Sequence, residues 1–209
     1  MPYKRTKQPP EHKELVLQFE KAIKGLVHRF RNHPYVFYTE TDMHCYLYHR
    51  LYRGGLINGL YTTAEGRDTI LLHKEYPTAI RYRREDGILV ESKIGRRRGA
   101  FDISIWDPKY ISTLEHRNQK VLCAAELALN ECGSKNPHTI NDTTKLADRG
   151  NVKYGYILFF VRDSKSYELH KKKVWDNLNK AAKRVRIVFT LVNGNEKPKP
   201  QYLGAWGDI

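Results

Sequence analysis

The run KVLCAAELALNE, residues 120–131, constrains the fold more than any other stretch, because it reads as a buried strand and yet carries a carboxylate, Glu126, in its middle. Alternation at period two sets Val121, Cys123, Ala125, Leu127 and Leu129 on one side. Leu122, Ala124, Glu126, Ala128 and Asn130 take the other. An acid flanked by Ala124, Ala125, Leu127 and Ala128 is costly to bury unpaired, so either its face is open or a cation answers it.

The rest of the chain supplies the cover such a strand needs. From 11 to about 31, Leu15, Phe19, Ala22, Ile23, Leu26, Val27 and Phe30 recur at three- and four-residue steps, which predicts a helix stopped by NHP. A second helix is expected from the N-cap Thr39 through Met43, Leu47 and Leu51 to RGG. Strand-like runs follow at 69–76, 79–83, 100–106, 121–130, 154–161 and 186–192. Helices are expected near 141–148 and from about 165 to 183. The expected fold class is therefore α/β, a central sheet flanked by helices with an N-terminal helical segment, in one domain spanning 1–209. Residues 1–10 read as a basic arm, and 193–209, rich in turn and proline signals, as a C-terminal tail.

Charge narrows the partners. Lys and Arg total 37 against 23 Asp and Glu, a formal net charge of +14, so the surface field attracts polyanions. No run approaches the length of a spanning helix, and MPYKRTKQPP has no apolar signal core, which favours nucleic acid over membrane. Cys45, Cys123 and Cys132 form no CxxC pair and sit at no metal-ligand spacing with a histidine, and a cytoplasmic, reducing location fits them.

A second acid gives Glu126 a companion. In GAFDISIWDP the strand period sets Asp102, Ser104 and Trp106 opposite Phe101, Ile103 and Ile105. If this run pairs with 121–130, Asp102 and Glu126 lie side by side, and two close carboxylates in a basic protein call for a cation such as magnesium. Glu75, in HKEYP, is a further candidate ligand, with an ion pair to Lys74 or Arg81 as its plainer explanation.

The order of TETDMHCYLYHRL, LLHKEYPT, RGAFDISIWDP, CAAELALNE, NDTTKLAD and YGYILFFVRD resembles the PD-(D/E)xK nuclease superfamily, the restriction-endonuclease-like proteins. The resemblance implies a Mg2+ ion, with Mn2+ as substitute, held by Asp102 and Glu126, and DNA as substrate. It also implies an acid on the first helix of the motif, for which Glu40 is preferred to Asp42, because Glu40 shares the stripe of Met43, Leu47 and Leu51. Position 128 departs from the pattern: an alanine stands where the family has a lysine. Some members of such families are similar in supplying the cation from elsewhere, most often the helix after this strand, which here offers Lys145; Lys135, in the loop CGSKN, is the second choice.

Arginines cluster near the expected site. Arg96, Arg97 and Arg98 lie between two glycines just before Asp102, and Arg81 and Arg83 stand in RYRRED, all placed to contact phosphates. A Mg2+-dependent endonuclease acting on DNA is the expected function, with a homodimer as the arrangement suited to double-strand cuts. A catalytically inactive nucleic-acid-binding module of the same fold is the alternative that Ala128 keeps open.

Overall fold

The computed structural model describes residues 9–55, 57–85, 88–91, 97–115, 118–130, 138–162 and 165–206, with the backbone alone for 79–85, 88–91, 97–98, 138–141 and 166. Two helices open the chain, α1 (His12–Asn32) and α2 (Glu40–Arg53), joined through a 3-10 turn at Pro34–Val36. A small ladder of β1 (Tyr61–Thr62) and β2 (Asp68–Thr69) follows. The main sheet contains β3 (Leu72–Glu85), β4 (Ile88–Glu91), β5 (Arg97–Trp106), β6 (Val121–Leu129), β7 (Val152–Arg162), β8 (Arg186–Val192) and β9 (Gln201–Leu203). Helices α3 (His138–Leu146) and α4 (Lys165–Ala182) precede β7 and β8 respectively.

The sheet order is β4-β3-β5-β6-β7-β8-β9. It is mixed: β6, β7 and β8 run parallel through helical crossovers, while β4, β3 and β5 form an antiparallel wing and β9 closes the far edge antiparallel. The α/β class expected from the sequence is thus present.

The stripe read from α1 is the face it buries. Leu15, Phe19, Ile23, Leu26 and Phe30 are fully buried, with Phe19 against Tyr156 and Phe30 against Phe160 at ring-centroid distances of 5.0 and 4.9 Å. Glu20, on the same helix, is also fully buried, and it is matched: Tyr156 donates its hydroxyl to Glu20 Oε1 at 2.9 Å and Arg186 stands 2.6 Å from that oxygen. On α2, Met43, Leu47 and Leu51 are buried as the period requires.

Helix α3 lies close on β7 because residue 155 has no side chain. A Cβ on Gly155 would stand 2.6 Å from the Leu146 carbonyl oxygen and 2.7 Å from Leu146 Cβ, closer than real atoms approach. This contact fixes the height of α3 above the sheet, and with it the place of Lys145.

Three expectations change. The runs 69–76 and 79–83 belong mostly to one strand, β3, whose register against β5 shifts between Pro77 and Arg81. Asn130 leaves β6 with φ 59 and its side-chain Oδ1 accepts the backbone N–H of Arg162 at 2.8 Å, so it does not continue the Glu126 face. The segment read as a tail supplies β9, paired with β8 through Tyr202 and Val188, and Trp206 donates its indole N–H to Leu203 and Ile187 carbonyls. Turn and proline residues at 193–200 hid that return to the sheet.

Candidate active site

The ladder between β5 and β6 pairs Ile103 with Ala125 and Ser104 with Ala124, a register that, continued by one pair, sets Asp102 opposite Glu126. There the Asp102 side chain turns to β6 and its Oδ2 accepts the backbone N–H of Leu127 at 2.8 Å. Two residues on, the Leu129 N–H donates to Glu40 Oε1 at 2.9 Å. Glu40 is the first residue of α2, and the helix is started by a capping box in which Thr39 and Asp42 exchange hydrogen bonds. The two acids of that turn therefore divide their work: Asp42 caps the helix and Glu40 reaches the sheet.

Glu126 is 5 % exposed, and its Oε1 stands 2.7 Å from Lys145 Nζ. Lys145 comes from α3 and is itself buried; its ammonium also meets Asp142 at 3.1 Å and donates to the Ala100 carbonyl at 3.1 Å. Three acceptors thus surround a group with three donors. The lysine stem passes so near the backbone that a Cβ on Gly99 would lie 3.1 Å from Lys145 Cδ.

The charges do not cancel. Burial pushes the Glu126 carboxyl well above its ordinary value; Asp142 and Asp102 add to that rise and Lys145 opposes it. Burial alone would weaken the Lys145 ammonium, but Glu126 and Asp142 outweigh it and raise the lysine above its usual range. Glu126 and Asp142 share one ammonium, and Asp102 stands near enough to act on Glu126, a surplus of negative charge that a divalent cation would offset.

A ligand set lies beside them. His44, Glu75 and Asp102 each offer an atom within 4.8 Å of the others, with His44 Nε2 3.2 Å from Asp102 Oδ2. His44 Nε2 and Glu126 Oε1 are buried, and neither makes an aligned hydrogen bond. These donors fit a divalent cation. Two carboxylates and an imidazole suit Mn2+ by ligand type, whereas Mg2+ takes mainly oxygen.

Glu75 is there by an unusual backbone. It sits between the ladder pairs Lys74 with Ile103 and Tyr76 with Phe101, and it holds φ 54 in the left-handed region, which costs a side-chain-bearing residue about 1–2 kcal/mol. Strain of that kind persists where surrounding structure imposes it.

Of the residues singled out from the sequence, Glu40, Asp102, Glu126 and Lys145 meet at the β5–β6 junction, and Glu75 joins them from β3. Glu126 is not one of the three residues in the clustered ligand set, since its Oε1 faces Lys145. Arg96 and Lys135 lie outside the described residues. Arg97 and Arg98 open β5 opposite Tyr82 and Arg81 of β3, and Arg83 pairs with Val90 of β4. His44 was missed, although its spacing of four from Glu40 put it on the same helix face.

Searches of protein-family models, of curated proteins and of solved structures each found no match for the chain. Among the described residues no helix is long and apolar enough to cross a membrane.

Proposed function

We propose that the protein is a metal-dependent nuclease of the restriction-endonuclease-like kind, hydrolysing phosphodiester bonds of DNA. The observation that carries this reading is the 2.7 Å contact of Lys145 with Glu126, because it sets an ammonium beside the strand acid although position 128 is alanine.

His44, Glu75 and Asp102 would hold the cation, Mg2+ or Mn2+, with Glu126 at its margin. When bound, such an ion supplies Lewis acidity and lowers the pKa of water. The protein's own groups would do the rest. Glu126 and Lys145 would orient the attacking water, and the Lys145 ammonium would oppose the charge that grows on the phosphoryl oxygens. Asp102 and Glu40 are held by Leu127 and Leu129 N–H groups, so their carboxylates are oriented before substrate arrives. The net charge of +14 would draw a polyanion to the surface, and α4 adds the exposed Lys171, Lys172 and Lys173.

Cleavage of a labelled DNA mixture with Mn2+ or Mg2+, and with EDTA as control, tests the proposal. Metal-dependent cleavage that disappears in Asp102→Ala and Glu126→Ala is expected. Cleavage retained in both variants, or none in the wild type with either metal, overturns it; salt-sensitive DNA binding without cleavage would then favour a binding module.

A further inference from the structure

Beside the acid cluster the protein displays aromatic rings that stay largely outside its core. Tyr35 is 68 % exposed, Val36 54 % and Tyr38 84 %, while Phe37 between them is buried. Single exposed apolar residues are ordinary on a protein surface. Here the side chains are held out by a loop fixed from three directions.

Phe37 anchors the loop, its ring edge-on to Tyr46 with centroids 5.4 Å apart. Arg162, at the end of β7, gathers the carbonyl oxygens of Pro34 at 2.6 Å, of Phe37, and of Tyr38 at 3.2 Å. Its guanidinium also lies 5.5 Å from the centre of the Tyr35 ring. The backbone N–H of the same arginine donates to Asn130, the residue that leaves β6, so the loop and the acid-bearing strand share one support. The capping box at Thr39 closes the far end.

Position gives these rings a use. Consecutive Cα atoms are about 3.8 Å apart, so Tyr38 Cα lies within about 8 Å of Glu40 Cα. Glu40 in turn is bonded to Leu129 of β6.

We propose that Tyr35 and Tyr38 form a stacking platform for unpaired nucleobases, which makes a single-stranded segment of nucleic acid the ligand delivered to the acid cluster; delivery for cleavage rests on the nuclease reading above. Every base offers a π face, and a duplex hides those faces inside its stack. Two exposed tyrosines on a held loop, Tyr35 beside a guanidinium, in a strongly basic chain match a strand whose bases are free and whose phosphates are negative.

Fluorescence anisotropy in EDTA tests this without cleavage. The probes are a short oligothymidylate, an oligouridylate, a duplex of equal length, and an oligomer with abasic sites. Tyr38→Ala and Tyr35→Ala/Tyr38→Ala are expected to weaken binding of the single strands about five- to a hundredfold, with Tyr38→Trp near wild type and duplex binding unchanged. The abasic oligomer should bind wild type no better than the intact one binds the double variant. Tighter binding of either single strand than of the duplex and abasic probes, lost in the double variant, supports the platform. Unchanged single-strand affinity in the double variant, or an equal loss on duplex and abasic probes, overturns it. Tyrosine-dependent binding in a protein that cuts nothing would sink the nuclease reading alone; cleavage with tyrosine-independent binding would sink the platform alone.

Discussion

Lys145 of α3 and Glu126 of β6 meet at 2.7 Å, and the same ammonium holds Asp142 and the Ala100 carbonyl, so one side chain ties α3 to two neighbouring strands. Removing it leaves two shielded acids without their cation. Lys145→Gln is expected to cost roughly 3–5 kcal/mol of stability and to lower cleavage at least about a hundredfold. Glu126→Gln/Lys145→Gln should regain at least half of the lost stability and none of the activity. Urea denaturation with parallel cleavage assays measures both.

Glu75 offers the opposite exchange. Glycine takes the left-handed backbone freely, so Glu75→Gly should stabilise the metal-free protein by up to about 1 kcal/mol. It also deletes one of three clustered ligands, and the rise in Tm on adding Mn2+ should shrink. Thermal melts with and without Mn2+ decide the matter; a full Mn2+ shift in the variant would remove Glu75 from the ligand set.

Gly155→Ala should force α3 outward, because the new Cβ meets Leu146 backbone and side chain together. The expected cost is about 1–3 kcal/mol. Cleavage should fall as well, since Lys145 adjoins Leu146. Chemical denaturation reports the first effect and single-turnover kinetics the second.

The start of α2 should respond to acid. The Thr39 backbone N–H holds the Asp42 carboxyl below its ordinary value; burial opposes this slightly, while the Thr39 hydroxyl, the Tyr38 N–H and the Arg162 charge assist. A depressed carboxyl contributes stability above its unfolded value, near 3.8, and loses that contribution as the pH falls through the folded value. The stability gap between wild type and Asp42→Asn should therefore be constant near neutrality and close below pH 3.8. Denaturant titrations across that range measure it.

Cysteine labelling separates interior from surface. Burial pushes the Cys123 thiol far above its ordinary value, whereas Cys45 is exposed. Iodoacetamide at neutral pH should modify Cys45 and spare Cys123 until denaturant is added, as peptide mass spectrometry would show.

Much of this arrangement was legible because it follows from period. The three- and four-residue steps of α1 named its buried face, and the stripe of Met43, Leu47 and Leu51 separated Glu40, which reaches β6, from Asp42, which caps its own helix. Alternation placed Asp102 and Glu126 on one side of neighbouring strands. Period says nothing of where a backbone turns left-handed, so the left-handed backbone at Glu75 and the exit at Asn130 were hidden. It also treats an apolar helix face as packing, which is why His44, set between Met43 and Leu47, went unread. Strand β9 was hidden for another reason: three residues of pairing after a turn-rich spacer carry almost no alternation.

The bare backbone at Gly155 bears on how such a site can be recognised at all. With no side chain between them, helix and sheet approach until a lysine on the helix reaches the neighbouring strand's acid. A short sequence signature built on adjacent strand positions records one route by which a charge arrives at a point in space. Here the charge comes to that point by a different route, and the spacing along the chain no longer reports it.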